Sequence, residues 1–518
     1  MNKDSRTKNS IRNLTTSFGS QIVLIIVKFV CRTVFISTLG KAYLGINGLF
    51  ADILTMLSLT ELGLDTAINF KLYKPLAEND THRTRLLMKF YKHAYRTVGV
   101  VILFLGVCLI PFLPKLINDY DTLAPLGINA ALVFGFYLAQ SVTSYLFFAY
   151  RSAIIKADQR EYITNITTFI SLLAMNICQI IVLLVWHSFM LYITLMVVFG
   201  IINNLVNAVI AVRQYPEAFK PTMESLDRNE VKDIFKDLGA LFVSKVNNVV
   251  LKATDNLVLS TFIGLAIVGT YSNYLMFYST IKSLLSKVYG AAKASMGNLF
   301  ALSDDIKKNQ FFELMNYITI IFYGTAAVGV AVLADELMMC WVGSEYVIAQ
   351  PFSILMGIEI LFMGIKNNLN QIRNVAGLFR QMWFRPLLGI FVNLGVSISL
   401  VRVYGIYGVL IGTIAADVLT NFIVDPPIIN KFGLNNIKPV SEYYVRNLTY
   451  FAILAVVGIA DMFLCSVILP GYGWISVIVH VIICGISVPG IMLVLYRKTE
   501  NAQYLIGAGK KLFRKIKR

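Results

Sequence analysis

Two stretches of the chain put cations where a bilayer interior penalises them. Residues 19–39 carry Gln21, Lys28 and Arg32 inside an apolar run, and residues 239–262 carry Lys245, Asn248, Lys252, Asp255 and Asn256. Spacings of seven and four place each set on one face of a helix. A charge at a helix centre costs about 2.5–3.5 kcal/mol on the insertion scale. The apolar residues of the first stretch return about 0.3–0.6 kcal/mol each, so the two sums nearly cancel. Cations at that cost are expected to meet water or a polar partner. Fixed in a low-dielectric cavity they favour an anion, and an arginine adds bidentate geometry suited to pyrophosphate or an acidic sugar. Structural pairing is the competing account: Lys252 with Asp255, or Arg32 with Asp52 or Glu61.

Carboxylates inside apolar runs are few. Asp52, Asp255, Glu359 and Asp417 are the candidates for carrying a coupling proton or Na+, with ion pairing as the alternative for each. Glu359 and Lys366 lie seven apart, and Asp417 and Asn421 share a face with Thr413. Tyr271, Tyr274 and Tyr278, followed by Lys282, are spaced to line a sugar-stacking wall or to pack an interface. His480 is expected to be packed. The four histidines are scattered and suggest no metal site. No HExxH, GxSxG, Walker A or CxxC pattern occurs, so neither catalytic chemistry nor a cofactor is expected.

These residues must be positioned by helices that cross a membrane. The 518 residues are 57% hydrophobic and 14% charged, with a mean hydropathy of +0.68. A soluble chain carries about 25% charged residues. Six cysteines, most of them in apolar runs, do not make a disulfide scaffold. Runs of about 20 apolar residues fall at 19–39, 43–69, 95–114, 125–148, 163–185, 189–211, 239–262, 265–290, 312–333, 349–370, 386–404, 405–424, 448–469 and 472–496. The expectation is an all-α polytopic membrane protein of about fourteen transmembrane helices.

Charge sets the orientation. The connections 1–18, 70–94, 149–162, 212–238, 287–311, 371–385, 425–447 and 497–518 hold about 36 of the 46 Lys and Arg, and the opposite set holds Lys41 and Lys115. That bias predicts both termini on the cytoplasmic side. It also accounts for the +17 net charge without nucleic acid. The first helix is expected to act as an uncleaved insertion signal. The opposite loops, 115–124 and 334–348 the longest, leave no room for an outer domain.

A shift of 224 residues lays Lys28 on Lys252, Gly40 on Gly264, Gly45 on Gly269, Ser20 on Ser244 and Ser37 on Thr261. Gln21 and Arg32 then fall on Lys245 and Asn256, so the two polar stripes coincide. The expected organisation is a parallel pseudo-repeat of two six-helix lobes around a central cavity. Residues 1–211 form the first lobe, 212–238 a cytoplasmic linker, 239–424 the second lobe, and 425–518 two added helices with a basic tail.

Residues 17–64, SFGSQIVLIIVKFVCRTVFISTLGKAYLGINGLFADILTMLSLTELGL, resemble the opening of Gram-positive polysaccharide flippases of the multidrug/oligosaccharidyl-lipid/polysaccharide exporter superfamily. CWVGSEY at 340–346 and AGLFRQ at 376–381 resemble that family's outer-loop and helix 10–11 motifs. The resemblance implies transport of undecaprenyl-pyrophosphate-linked oligosaccharide from the inner to the outer leaflet for capsule or exopolysaccharide assembly. It implies a lipid-linked partner, membrane lipids, and the polymerase and glycosyltransferases of the same pathway. It also implies a cationic cavity, onto which Lys28 and Arg32 map. A lipid II flippase shares the pyrophosphate cargo. A drug:cation antiporter of the same fold would show carboxylates where these stripes are cationic. A pathway enzyme or a scaffold are the more distant rivals.

The charge asymmetry makes a direct prediction. In a cysteine-free background, Ser344→Cys is expected to react with an impermeant thiol reagent from outside intact cells, and Ser225→Cys is not. Labelling at position 225 would reverse the orientation.

Overall fold

The computed structural model describes residues 3–58, 64–118, 120–146, 148–234, 254–302, 304–378, 380–471 and 473–507, with backbone alone over 3–18, 64–67 and 287–302. No strand occurs among them. Ten helices among the described residues are long and apolar enough to cross a membrane, and the pair Ala130–Leu146 and Ala149–Ala157, bent by 43°, makes an eleventh. The expected 239–262 span lies outside the described residues up to 253. The expected 43–69 span contains two helices, Lys41–Leu57 and Leu64–Glu78, with 59–63 outside the described residues.

The hydrophobic runs locate helices better than they measure them. Thr81–Leu109 begins 14 residues before the apolar run at 95, and Asp305–Val342 overruns the expected 312–333 at both ends. Capping explains both starts. Asp80 accepts from the Arg83 amide at 2.9 Å, and Asp304 from the Lys307 amide at 2.9 Å. Each satisfies an amide that the first helical turn leaves unpaired. Gly405, at φ 58°, separates Arg385–Tyr404 from Ile406–Asp417, as the division at 404/405 anticipates.

The chain divides into two compact units, residues 1–269 and 270–518. In the first, helix Lys3–Leu39 packs on Glu161–Trp186, which packs on Phe189–Gln214. One end of this unit gathers three loops. Arg85 pairs with Glu217 at 3.3 Å, Arg83 with Glu230 at 2.5 Å, and Tyr215 donates to Asp158 at 2.6 Å. These are loops 70–94, 149–162 and 212–238, the set that charge assigns to one side. Their turns enclose a cavity of about 730 Å³. The other end joins Ser260 to the Leu116 carbonyl at 2.9 Å and Tyr43 to the Leu126 carbonyl at 2.9 Å.

In the second unit the tightest pairs are Asp305–Val342 with Pro351–Val375 and Arg385–Tyr404 with Ile406–Asp417. Asn435 donates to Asp305 at 2.8 Å and Lys438 to Glu313 at 2.7 Å, closing one end. Tyr274 and Ser353 both donate to Asp335 near the other.

The repeat has a structural trace inside the first unit. Gly40 and Gly264 both take positive φ, 85° and 131°, immediately before a helix. Five residues on, a Cβ at Gly45 would collide with the Leu265 carbonyl, and one at Gly269 with the Lys41 carbonyl. Lys41 and Leu265 are themselves 224 apart, so the contact is reciprocal, as a local two-fold requires. Gly45→Ala and Gly269→Ala are each expected to destabilise by about 1–3 kcal/mol through overpacking. Gly135→Ala, with open space around it, is the control, and thermal unfolding in detergent is the measurement.

Candidate functional site

The second unit holds a line of charged and polar groups built from four helical segments. Tyr278 and Lys282 come from Leu265–Leu302, Glu359 and Lys366 from Pro351–Val375, and Asp417 ends Ile406–Asp417. Arg385 opens Arg385–Tyr404. The Tyr278 hydroxyl donates to Glu359 Oε1 at 2.7 Å, and the Lys282 ammonium stands 6.0 Å from the Tyr278 ring centre. Lys366 Nζ meets Asp417 Oδ1 at 3.0 Å, and Asn421 donates to the same oxygen at 2.8 Å. Arg385 donates to Asn421 Oδ1 and pairs with Asp425 at 2.7 Å.

The backbone bends to make this line. Residues Val418–Val424 form a π-helical turn between Asp417 and Asp425. Its wider winding lets Asp417, Asn421 and Asp425 contact neighbours on two different helices, and π-turns concentrate at functional positions. Around the line, Asn368, Asn370 Oδ1, Gln371 Oε1 and Arg373 Nε are buried without a partner among the described residues. Buried polar atoms are nearly always satisfied, so this strip of helix Pro351–Val375 has capacity for ordered water.

Of the sequence candidates, the structure therefore joins Tyr278 directly to Glu359, and ties Asp417 to Lys366. Tyr271 and Tyr274 serve differently. Both are buried, and both stand edge-on to Phe352, with ring centres 6.0 and 5.1 Å away. Tyr274 also donates to Asp335 at 3.0 Å. They pack an interface in place of an open aromatic wall.

In the first unit Lys28 is exposed and Arg32 half-buried on helix Lys3–Leu39. Asn256 donates to Asp52 Oδ2 at 2.5 Å, and Asp255 is buried beside it. Lys245, Asn248 and Lys252 lie outside the described residues, and so does Glu61. Sequence reasoning missed Arg385, Asp425, Asp335 and Glu336. Arg385 and Asp425 sit at the ends of apolar runs and read as loop charges. Asp335 and Glu336 fall just past an apolar run and read as solvated.

A bundle of membrane-crossing helices with polar groups held inside it is the architecture of a multi-pass membrane protein. Solved structures with this fold include the lipid II flippase MurJ in an inward closed conformation, with TM-score 0.65 and 15% identity over 94% of this chain and 99% of that one. An inward-facing MATE multidrug transporter of the MOP superfamily gives TM-score 0.61 and 12% identity over 83% and 99%. The Vibrio cholerae MATE transporter VcmN gives 0.55 and 15% over 83% and 99%. No curated protein matches the chain. The profile of the polysaccharide biosynthesis protein family matches residues 10–292, and the chain belongs to that family.

Arg385 and Asp425 are almost fully buried. Removing one partner of a buried ion pair costs about 3–5 kcal/mol, whereas replacing both with apolar groups is often neutral. Arg385→Met alone is expected to lose that much stability, and Arg385→Met with Asp425→Leu to recover most of it, by thermal unfolding in detergent.

Proposed function

We propose that this protein is a flippase. It moves undecaprenyl-pyrophosphate-linked oligosaccharide units from the inner to the outer leaflet of a bacterial cytoplasmic membrane, for capsule or exopolysaccharide assembly. The observation that carries the reading is Lys28, exposed on a membrane helix, with Arg32 one turn on, inside the region matched by the polysaccharide biosynthesis family. A bare cation costs too much against hydrocarbon to be ornamental. A doubly charged pyrophosphate repays that cost with charge-assisted hydrogen bonds.

In this reading Lys28, Arg32, Lys245, Lys252 and Asn256 hold the pyrophosphate. The glycan occupies the cavity near Tyr278 and Lys282, Tyr271 being packed behind them against Phe352, and the polyprenyl tail stays in lipid. Two lobes then exchange inward- and outward-open states around the cargo. Asp52, Asp255, Glu359 and Asp417 are the groups able to couple that exchange to an ion. No chemical step on the cargo is needed, so the protein is not an enzyme in this account. Peptidoglycan precursor flipping is the second reading, favoured by the likeness to MurJ across 94% of the chain.

The test is a leaflet-specific assay of lipid-linked oligosaccharide in a deletion strain complemented with variants. Arg32→Ala and Lys252→Ala are expected to abolish outer-leaflet appearance at normal protein abundance, and Arg32→Lys to retain part of it. Full export by a Lys28→Ala, Arg32→Ala, Lys252→Ala variant overturns the anion site. Normal glycan export with arrested lipid II in the deletion strain selects the second reading.

A further inference from the structure

Outside the polar line, the second unit buries another titratable cluster where its last two helices meet Asp305–Val342. His480, on helix Trp474–Leu495, places Nδ1 2.8 Å from Glu336 Oε2. Both residues are buried, His480 with 3% of its surface exposed and Glu336 with 9%. Ser476 Oγ also stands 3.3 Å from His480 Nδ1. The far atoms of the pair, His480 Nε2 and Glu336 Oε1, are buried with no partner among the described residues.

The pair shares one depth. Glu336 lies six residues from the end of its helix at Val342, and His480 six from the start of its own at Trp474, about 9 Å along each axis. Asp461, on helix Val440–Ile468, accepts from Ser487 at 2.6 Å, seven residues beyond His480 on helix Trp474–Leu495 and so about 10 Å deeper. All three helix ends belong to the face that carries residues 334–348 and 469–474.

The other titratable groups around the pair are few. Cys340 comes from Glu336's own helix and has Glu336 in electrostatic reach. Asp461 and Cys465 come from Val440–Ile468, and the Cys465 thiol stands within reach of both Asp461 and Glu336. Cys484 comes from Trp474–Leu495. Asp335 turns away to Tyr274 and Ser353. On helix Pro351–Val375, Glu359 and Lys366 are engaged by Tyr278 and Asp417.

The tautomer follows from the contact. An ionised Glu336 only accepts, so His480 donates from Nδ1, and the neutral imidazole leaves Nε2 as a lone-pair acceptor. In that state the pair carries one net negative charge in a low-dielectric setting. A proton on Nε2 makes an imidazolium–carboxylate pair with no net charge. A merely structural polar contact has no need of an unsatisfied buried acceptor, which costs about 1–3 kcal/mol.

We propose that Glu336 and His480 form a proton-binding site, filled from the water on the face of residues 334–348 and 469–474. The step is a simple protonation. Hydronium gives its proton to His480 Nε2, an N–H bond forms, water leaves, and nothing is oxidised or reduced. The neutralised pair holds helix Trp474–Leu495 on Asp305–Val342, and loss of the proton loosens that contact. The site is independent of how the cargo is bound.

The test is ¹⁵N-histidine magnetic resonance on the full chain in lipid nanodiscs, with His480→Gln identifying the His480 signal among the four histidines. The signal is expected to pass from neutral imidazole to imidazolium on acidification between about pH 5 and 8. Glu336→Gln is expected to require at least tenfold more acid for the same change. If that variant cannot be recovered folded, Glu336→Asp takes its place, and its midpoint must also move. A His480 signal fixed in one protonation state across that range, or one titrating identically without the Glu336 carboxylate, overturns the proposal.

Discussion

A charge inside a bilayer must be paired, hydrated or reach out of the hydrocarbon, and the design of this protein follows from that cost. It drives about 36 of the 46 Lys and Arg into one set of connections. The structure gathers those connections end by end: loops 70–94 and 212–238 interlock through Arg83, Arg85, Glu217 and Glu230, and Asp158 of loop 149–162 joins them through Tyr215. The same cost forces the interior charges of the second unit into contact, Lys366 with Asp417 and Arg385 with Asp425. A buried pair contributes little net stability, because desolvation offsets the attraction. Its value here is register: an Arg385 that must meet Asp425 fixes how two helices pack where apolar side chains alone would tolerate sliding.

Helix packing by small residues works beside this constraint. Without a strong hydrophobic drive between helices in lipid, close backbone approach supplies the contact. Gly45 and Gly269 provide it reciprocally against Leu265 and Lys41, and Gly364 does so against the Tyr323 ring. Gly412 meets Asn393 and Ser397 in the same way, beside the hydrogen bond from Asn393 to Thr413. Polar and small residues thus alternate along the same interfaces, the first choosing the partner and the second letting it come near.

Much of the fold was legible because hydropathy and positive charge are one-dimensional signals. Helix starts beyond the apolar runs were not, since Asp80 and Asp304 act as caps only in a known backbone. The candidate site divided along the same line. Spacing of seven and four placed Glu359 with Lys366 and Asp417 with Asn421 on shared helix faces, because face follows from helical period alone. It could not pair Glu359 with Tyr278, which lies 81 residues away. Nor could it separate Tyr278 from Tyr271 and Tyr274, which share a helix and a spacing but meet Phe352 instead of a carboxylate. Glu336 was invisible because its partner, His480, is 144 residues distant.

The two kinds of charge in this chain meet their cost in two ways. Lys28 is exposed on a membrane helix, so its energetic cost is met only when something anionic or aqueous is beside it. The charges of the second unit are already compensated by one another: Lys366 and Asn421 share Asp417 Oδ1, and Arg385 meets both Asn421 and Asp425. A π-helical turn sits among them, where a ladder of backbone bonds can shift by one residue without breaking the helix. In the second unit Glu359, Lys366, Asp417 and Arg385 each already meet a hydrogen-bonding or oppositely charged side chain, so helical period and charge cost together account for where these residues stand.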